Sequence, residues 1–217
     1  MPNKEKQKKS VVWEWTESIL VALVLAILIR TFLIQPFKIP SGSMRMTLIE
    51  GDHLFVSKLR YGPILLPEIH SPDFLKDKID IKWPDALTPM TKIRLPGFMK
   101  PKRGDVMVFV YPEDRSKDFI KRLIGLPGET VEIRDGKILI NGQEVTDPAI
   151  ANTYYYNRGD YGQEGVPITV PPGHYFMLGD NSGSSHDSRY WGFIDEKDVV
   201  GKAEFIFWPV NRVRIIQ

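Results

Sequence analysis

Three short stretches of this chain hold residues that could break a covalent bond. The first is Ile39-Pro40-Ser41-Gly42-Ser43-Met44. A serine hydroxyl becomes a nucleophile only when a nearby base takes its proton. Neither GxSxG nor SxxK occurs in the chain, which disfavours an α/β-hydrolase elbow or a penicillin-binding-type serine. Ser-Gly-Ser is also ordinary turn chemistry, and from this stretch alone both readings stand. The second stretch, Asp118 to Glu129, sets Lys121 inside an apolar strand. With a period of two, Lys121 shares a face with Phe119 and Leu123. Burial there disfavours the ammonium form and lowers the lysine pKa, so that a neutral amine could accept a serine proton. Arg122 cannot do this, because a guanidinium stays charged. An exposed, snorkelling lysine is the other reading of the same pattern.

The third stretch, Gly179 to Gly192, crowds carboxylates, hydroxyls and an arginine into one loop. A calcium loop would need a closing Glu where Trp191 stands, so no metal site is expected. Asp187 and Arg189 are expected to pair and hold the loop. The four histidines are scattered and form no HExxH, and His186 reads as a solvated loop residue.

The elements that must position these residues follow from hydropathy. Residues 18–34 are apolar except for Ser18, Arg30 and Thr31. Trp13 and Trp15 suit an interfacial belt, and Lys4, Lys6, Lys8 and Lys9 precede them. The expected layout is a basic cytoplasmic stretch 1–12, a membrane anchor 13–34 and an extracytoplasmic body 35–217. A cleavable leader would need an Ala-X-Ala-like site after the apolar run; TFLIQPFKIPSGSM has none. Past residue 35 the pattern turns to strand. Pro36 and Pro40 mark 35–40 as an extended edge. Alternating runs predict strands at 53–57, 106–111, 119–124, 130–133, 137–140, 175–178 and 203–208. Asp135-Gly136 is a type I′ hairpin signal, and Asn141-Gly142 is a further turn. Residues 63–100 and 146–172 read as long insertions. The fold class is mainly β behind a single transmembrane helix.

Composition narrows the functions. The 217 residues include no cysteine, which excludes disulfides, Fe–S clusters, thiol catalysis and cysteine-type zinc sites. Net charge is +2, with no basic stripe or module for nucleic acid. No cofactor is implied.

The order of the segments is more specific than any one of them. An apolar anchor leads to IPSGSM, then GDHLFVSK, RGDVMVF, FIKRLIGLPGE and GDNSGSSHDSRYWGF. That series resembles the boxes of bacterial type I signal peptidases over about residues 13–210. The resemblance implies a membrane-bound serine endopeptidase that cuts signal peptides from exported preproteins after Ala-X-Ala-like sites. It implies Ser43 as nucleophile and Lys121 as neutral general base, with Ser41 and the Ser43 N–H as oxyanion hole. Ser185 matches the serine that orients the lysine, and Asp187 and Arg189 match supporting residues. Phe37, Ile39, Met44, Leu48 and Ile120 match the substrate pocket. It further implies a monomer at the cytoplasmic membrane, with preproteins and lipid as partners. The chain departs at Met46, where the family usually has proline. Two rivals remain in view: a Ser/Lys peptidase with one dedicated substrate, and a non-catalytic membrane-anchored β module. A self-cleaving repressor also uses Ser/Lys, but it needs a DNA-binding domain and no membrane span.

Overall fold

A computed structural model describes residues 11–64 and 93–217. The basic stretch at 1–10 and residues 65–92, most of the first expected insertion, lie outside the described residues.

A helix that is apolar all round has no polar face to turn to water. Val11–Leu28 forms a helix, α1, that is of this kind from Ile19 onward, and a π-helical turn at Ile29–Leu33 extends it. Neither segment buries a residue. Together they make 23 residues, with an 18-residue window of mean hydropathy 2.1, long and apolar enough to cross a membrane. At 1.5 Å per residue that is about 34 Å, against a hydrocarbon core of about 30 Å.

The chain then becomes extended. In order come β1 (Ile34–Lys38), a 3-10 turn (Gly42–Met44), β2 (His53–Ser57), β3 (Val106–Val110) and β4 (Asp118–Gly125). Next are β5 (Thr130–Arg134), β6 (Lys137–Ile140), β7 (Gln143–Glu144), a short helix α2 (Pro148–Ala151) and β8 (Ile168–Thr169). Last come β9 (His174–Leu178), a helical turn α3 (Ser188–Trp191), β10 (Ile194–Asp195), β11 (Val199–Trp208) and β12 (Arg214–Ile215). The mainly β class and the seven predicted strands are all present. The strands that sequence did not suggest, β7, β8, β10 and β12, have two residues each, too few to show a period. β11 starts four residues before its alternation does. Gly201 breaks the pattern there because a Cβ would stand 2.4 Å from the Ser57 carbonyl oxygen.

The large sheet runs β1-β2-β11-β3-β4-β9-β10, with β12 on β11. A second sheet, β7-β6-β5-β8, carries the hairpins. Its turns use positive φ at both central residues, as type I′ requires: Asp135 at 50° with Gly136 at 75°, and Asn141 at 50° with Gly142 at 79°. One apolar cluster joins Ile39, Met44, Leu48, Leu54, Val56 and Ile206 beneath the large sheet. Another joins Ile124, Val131, Ile138, Ile150, Tyr155 and Phe176 between the sheets. The stretch 146–172 thus holds α2, β8 and the buried Ile150, Tyr155 and Val170.

β1 and β4 are four steps apart in the sheet order. In a flat sheet that separates them by about 19 Å, at about 4.8 Å per strand. The segment after β1 nevertheless touches β4. The sheet therefore curls, and the curl closes around one point.

The hairpin provides a test of the scaffold. Gly136→Ala forces a Cβ into left-handed backbone, 2.1 Å from the Tyr154 ring. The expected cost is about 1 kcal/mol or more, which lowers the melting temperature by about 2–4 °C. Peptidase activity should be retained, because the turn lies in the other sheet; thermal melting with an activity assay checks both.

Candidate active site

The curl brings Ser43 to Lys121. Pro40 ends the edge strand, Ser41 is exposed and extended, and the chain tightens into the Gly42–Met44 turn. That turn is anchored from below by Met44 and Leu48, both fully buried. Leu48 N–H donates to Met44 O at 2.6 Å, and Asp52 caps Ile49 N–H at 2.9 Å. Ser43 is consequently set on a rigid shoulder, 8% exposed.

Lys121 comes from the middle of β4 and is 4% exposed. Its Nζ lies 2.8 Å from Ser43 Oγ and 3.1 Å from the Ile120 carbonyl oxygen. It also stands 5.2 Å from the centre of the Phe119 ring on the same strand face. Burial lowers the Lys121 pKa to about 8; the Asp187 and Asp180 carboxylates oppose that shift and the Arg189 guanidinium assists it. With a pKa of about 8, about a tenth of the molecules carry a neutral amine at pH 7. That form can accept the Ser43 proton, which the ammonium cannot.

Two buried ion pairs hold the walls. Arg122 grips Asp180 through Nε at 2.8 Å and Nη2 at 2.7 Å, both side chains 2% exposed. Arg122 also donates to Gly104 O at 2.6 Å and Thr47 Oγ1 at 3.0 Å, and the Thr47 hydroxyl returns a short bond to Asp180. This network ties β4 to the serine loop. Arg189 grips Asp187 through Nε at 2.7 Å and Nη2 at 2.8 Å, and neither side chain is exposed. Arg189 further donates to Tyr156 O, Ser182 Oγ and Ser182 O. Asp187 accepts from Gly179 N–H at 3.0 Å. Buried charges need this degree of pairing to be tolerated.

Ser185 is buried, and its hydroxyl has no hydrogen-bond partner among the described residues. It lies against Gly179, where a Cβ would be 2.1 Å from Ser185 Oγ and 2.6 Å from Ser43 O. The bond from Ser185 to the lysine that the resemblance implies is not formed in this state. Phe37 and Ile120 are partly buried against the cluster that contains Ile39, Met44 and Leu48. The structure thus gathers these five residues into one apolar cluster beside Ser43. His186 contacts Tyr111 and stacks on Tyr190 at the surface. Met46 is 70% exposed. Sequence reasoning missed the roles of Gly179, Asn181, Thr47 and the Arg122–Asp180 pair. Only the Gly-Asp-Asn opening of the third stretch could have pointed to the first two.

A serine hydroxyl thus stands against a buried lysine, on a curled β scaffold behind an apolar helix. The profile of a family described as signal peptidase, peptidase S26, matches residues 12–208. A signal peptidase I of Bacillus licheniformis is 34% identical over 219 residues, 97% of this chain and 96% of that one. A signal peptidase I of Pseudomonas fluorescens is 35% identical over 93% of this chain and 75% of its own. A crystal structure of a signal peptidase I from Enterococcus faecalis is 39% identical, covering 48% of this chain and 96% of that one, at a TM-score of 0.39. The chain belongs to the signal peptidase family, peptidase S26, and is a serine endopeptidase with one N-terminal helix fit to anchor it in a membrane.

Two outcomes follow from this geometry. With Lys121 as the general base, activity should rise about tenfold per pH unit below about 8 and level off above it, because deprotonation of the amine completes through that pH. A kcat/KM profile checks this, and a flat line from pH 6 to 9 contradicts it. Gly179→Ala should displace Ser185 or the Ser43 carbonyl and lower kcat/KM on the order of 100-fold, measured on the folded, detergent-purified protein.

Proposed function

We propose that Ser43 is the nucleophile and Lys121 the general base of a signal peptidase that cuts exported preproteins after Ala-X-Ala-like sites. The observation that carries this reading is the 2.8 Å contact between a serine hydroxyl and a buried lysine with a lowered pKa. Neutral Lys121 takes the Ser43 proton as Oγ attacks the scissile carbonyl. The Ser43 N–H and the Ser41 hydroxyl meet the oxyanion. Ser43 lies at the start of a helical turn, where N–H groups lack intrahelical acceptors. Collapse of the tetrahedral species releases the new amine, protonated by Lys121, and leaves an acyl-enzyme. Lys121 then activates a water for its hydrolysis. Ser185 steadies the lysine when Ser43 is acylated and no longer partners it. No step calls for a metal or organic cofactor.

The substrate adds as a strand. β1 is the edge of the large sheet, and β9 pairs only with Arg122, Leu123 and Gly125 of β4. Residues 119–120 therefore offer backbone to no described strand on that side. Edges of this kind take up extended peptides through main-chain bonds, with alternate side chains entering pockets. Phe37 and Ile120 narrow the groove over the Ile39, Met44 and Leu48 floor, which suits small residues such as alanine.

The body lies outside the cytoplasm, the basic N-terminus inside, and the enzyme acts as a monomer. The lysine-rich stretch before the helix supports that orientation. Exposed Trp208, Val210, Val213 and Ile215, near the stacked rings of Phe55 and Phe207, suit contact with the headgroup layer. The anchor then holds the site beside the membrane-embedded leader, which raises effective concentration.

Incubation of the purified enzyme with a preprotein bearing an Ala-X-Ala site tests the reading. Wild type should cut after the second alanine, whereas Ser43→Ala and Lys121→Met should fold and leave it intact. Lys121→Met should also melt higher at neutral pH. A lysine whose pKa falls on folding opposes folding fully below about pH 8, and that penalty fades as pH rises through the window up to its unfolded value. Equal cutting by either variant would overturn the assignment. Cutting of one local partner but not of general preproteins would favour the dedicated-substrate rival.

A further inference from the structure

The peptide groups on both sides of Ser43 are held by one residue from another part of the fold. Asn181 follows Asp180 in the loop after β9. Its side-chain Nδ2 donates to the Gly42 carbonyl oxygen at 2.8 Å. Its backbone N–H donates to the Ser43 carbonyl oxygen at 3.0 Å. An asparagine amide that faces a carbonyl must present its NH2 group, so the donor assignment follows from chemistry.

We propose that Asn181 is a positioning residue that fixes the Gly42–Ser43 peptide plane, and with it the direction of the Ser43 N–H toward the developing oxyanion. The inference rests on the reading of Ser43 as nucleophile. A peptide group is planar, and across a trans peptide C=O and N–H point in opposite directions. To clamp the Gly42 carbonyl is therefore to aim the Ser43 N–H away from Asn181. Residue 42 is glycine, which restrains its own peptide least of all residues. Within the turn, Arg45 N–H also reaches Gly42 O, at 3.1 Å, but that donor moves with the turn itself. Asn181 is the contact from outside. It is seated by Ser184 N–H on its own carbonyl at 2.9 Å and by the adjacent Asp180, locked to Arg122. Arg122 is the neighbour of Lys121 on β4. The base and the oxyanion donor are thus referenced to the same strand. The energy in such a donor lies in its preorganisation toward charge that appears only in the transition state.

The test is Asn181→Leu, of similar size but with no side-chain donor and no new charge beside Lys121. Three quantities are measured on the detergent-purified full chain with a preprotein substrate: kcat, KM and the pH profile. In parallel, the affinity of a peptide boronic acid, which forms a tetrahedral adduct on serine, is compared with that of the same peptide as a free carboxylate. The expected result is a kcat lower by on the order of 100-fold. KM and the inflection set by Lys121 should stay in place. Boronate affinity should fall by a similar factor and carboxylate affinity should hold. A kcat within about twofold of wild type overturns the inference, as does an equal loss of boronate and carboxylate binding, which would mark a merely structural role. If Asn181→Leu does not fold, Asn181→Ala, which keeps the backbone donor, carries the same expectations. Ser43→Ala runs beside them. If it still cuts, the reading of Ser43 as nucleophile fails; if it is dead while the Asn181 variants behave as wild type, only the present inference fails.

Discussion

The fold keeps one amine, that of Lys121, out of water, and much of the architecture around Ser43 can be traced to that burial. Lysine in solvent is charged at any physiological pH and cannot accept a proton. Burial at β4 changes this by penalising the ammonium. Apolar walls alone would suffice for burial, but a serine and its loop must also reach the amine. That brings polar backbone, hydroxyls and carboxylates into the same small volume. Each carboxylate near the lysine pulls its pKa back up, as Asp187 and Asp180 do. Each carboxylate is held in a bidentate arginine pair, and Arg189, the partner of Asp187, assists the lowering, so that the amine keeps a pKa of about 8.

The same two pairs tie separate parts of the chain to one another. Arg122 joins β4, the serine loop through Thr47, and the loop after β9 through Asp180. Arg189 gathers Ser182, Tyr156 and Asp187 into a closed loop against Ser185. Removal of one partner would leave a buried charge uncompensated, a loss of about 3–5 kcal/mol. At the Arg189–Asp187 pair, electrostatic tuning of the amine and mechanical assembly of the loop are therefore the same interaction. Gly179 completes them by being small enough for Ser43 and Ser185 to close on either side of it.

Sequence revealed the fold class because strand alternation, an unbroken apolar run and two Asx-Gly turns are local signals. β2 and β6 were legible to the residue. Lys121 was conspicuous as a cation in an apolar strand, and Ser43 became so only through the ordered series of boxes around it. Nothing local could have joined them. Their contact depends on the curl of a sheet in which they are four strands apart, a property of twist and register rather than of either segment. Asn181 escaped notice for a related reason. An asparagine in a Gly- and Ser-rich loop looks like turn chemistry, and its role is visible only when the carbonyls it faces are known. The burial of Met44 and Leu48 was hidden too, since a groove floor and a groove wall are both apolar in sequence.

The proline at the centre of β1 has a consequence for the company this enzyme keeps. In the ladder with β2, Ile39 N–H donates to Asp52 O and Lys58 N–H donates to Leu33 O, so odd-numbered residues of β1 point inward. Residues 34, 36 and 38 then turn their main-chain groups to the open side. Pro36 contributes a carbonyl there but no N–H. A flat, complete edge would invite the edge of another molecule to zip onto it without limit, the first step toward aggregates. Here a long partner meets a missing rung in the middle of the ladder. A short extended visitor needs few rungs and is not hindered in the same way. That one absent hydrogen thus leaves β1 an edge open to brief, short pairing and closed to a long, matching one.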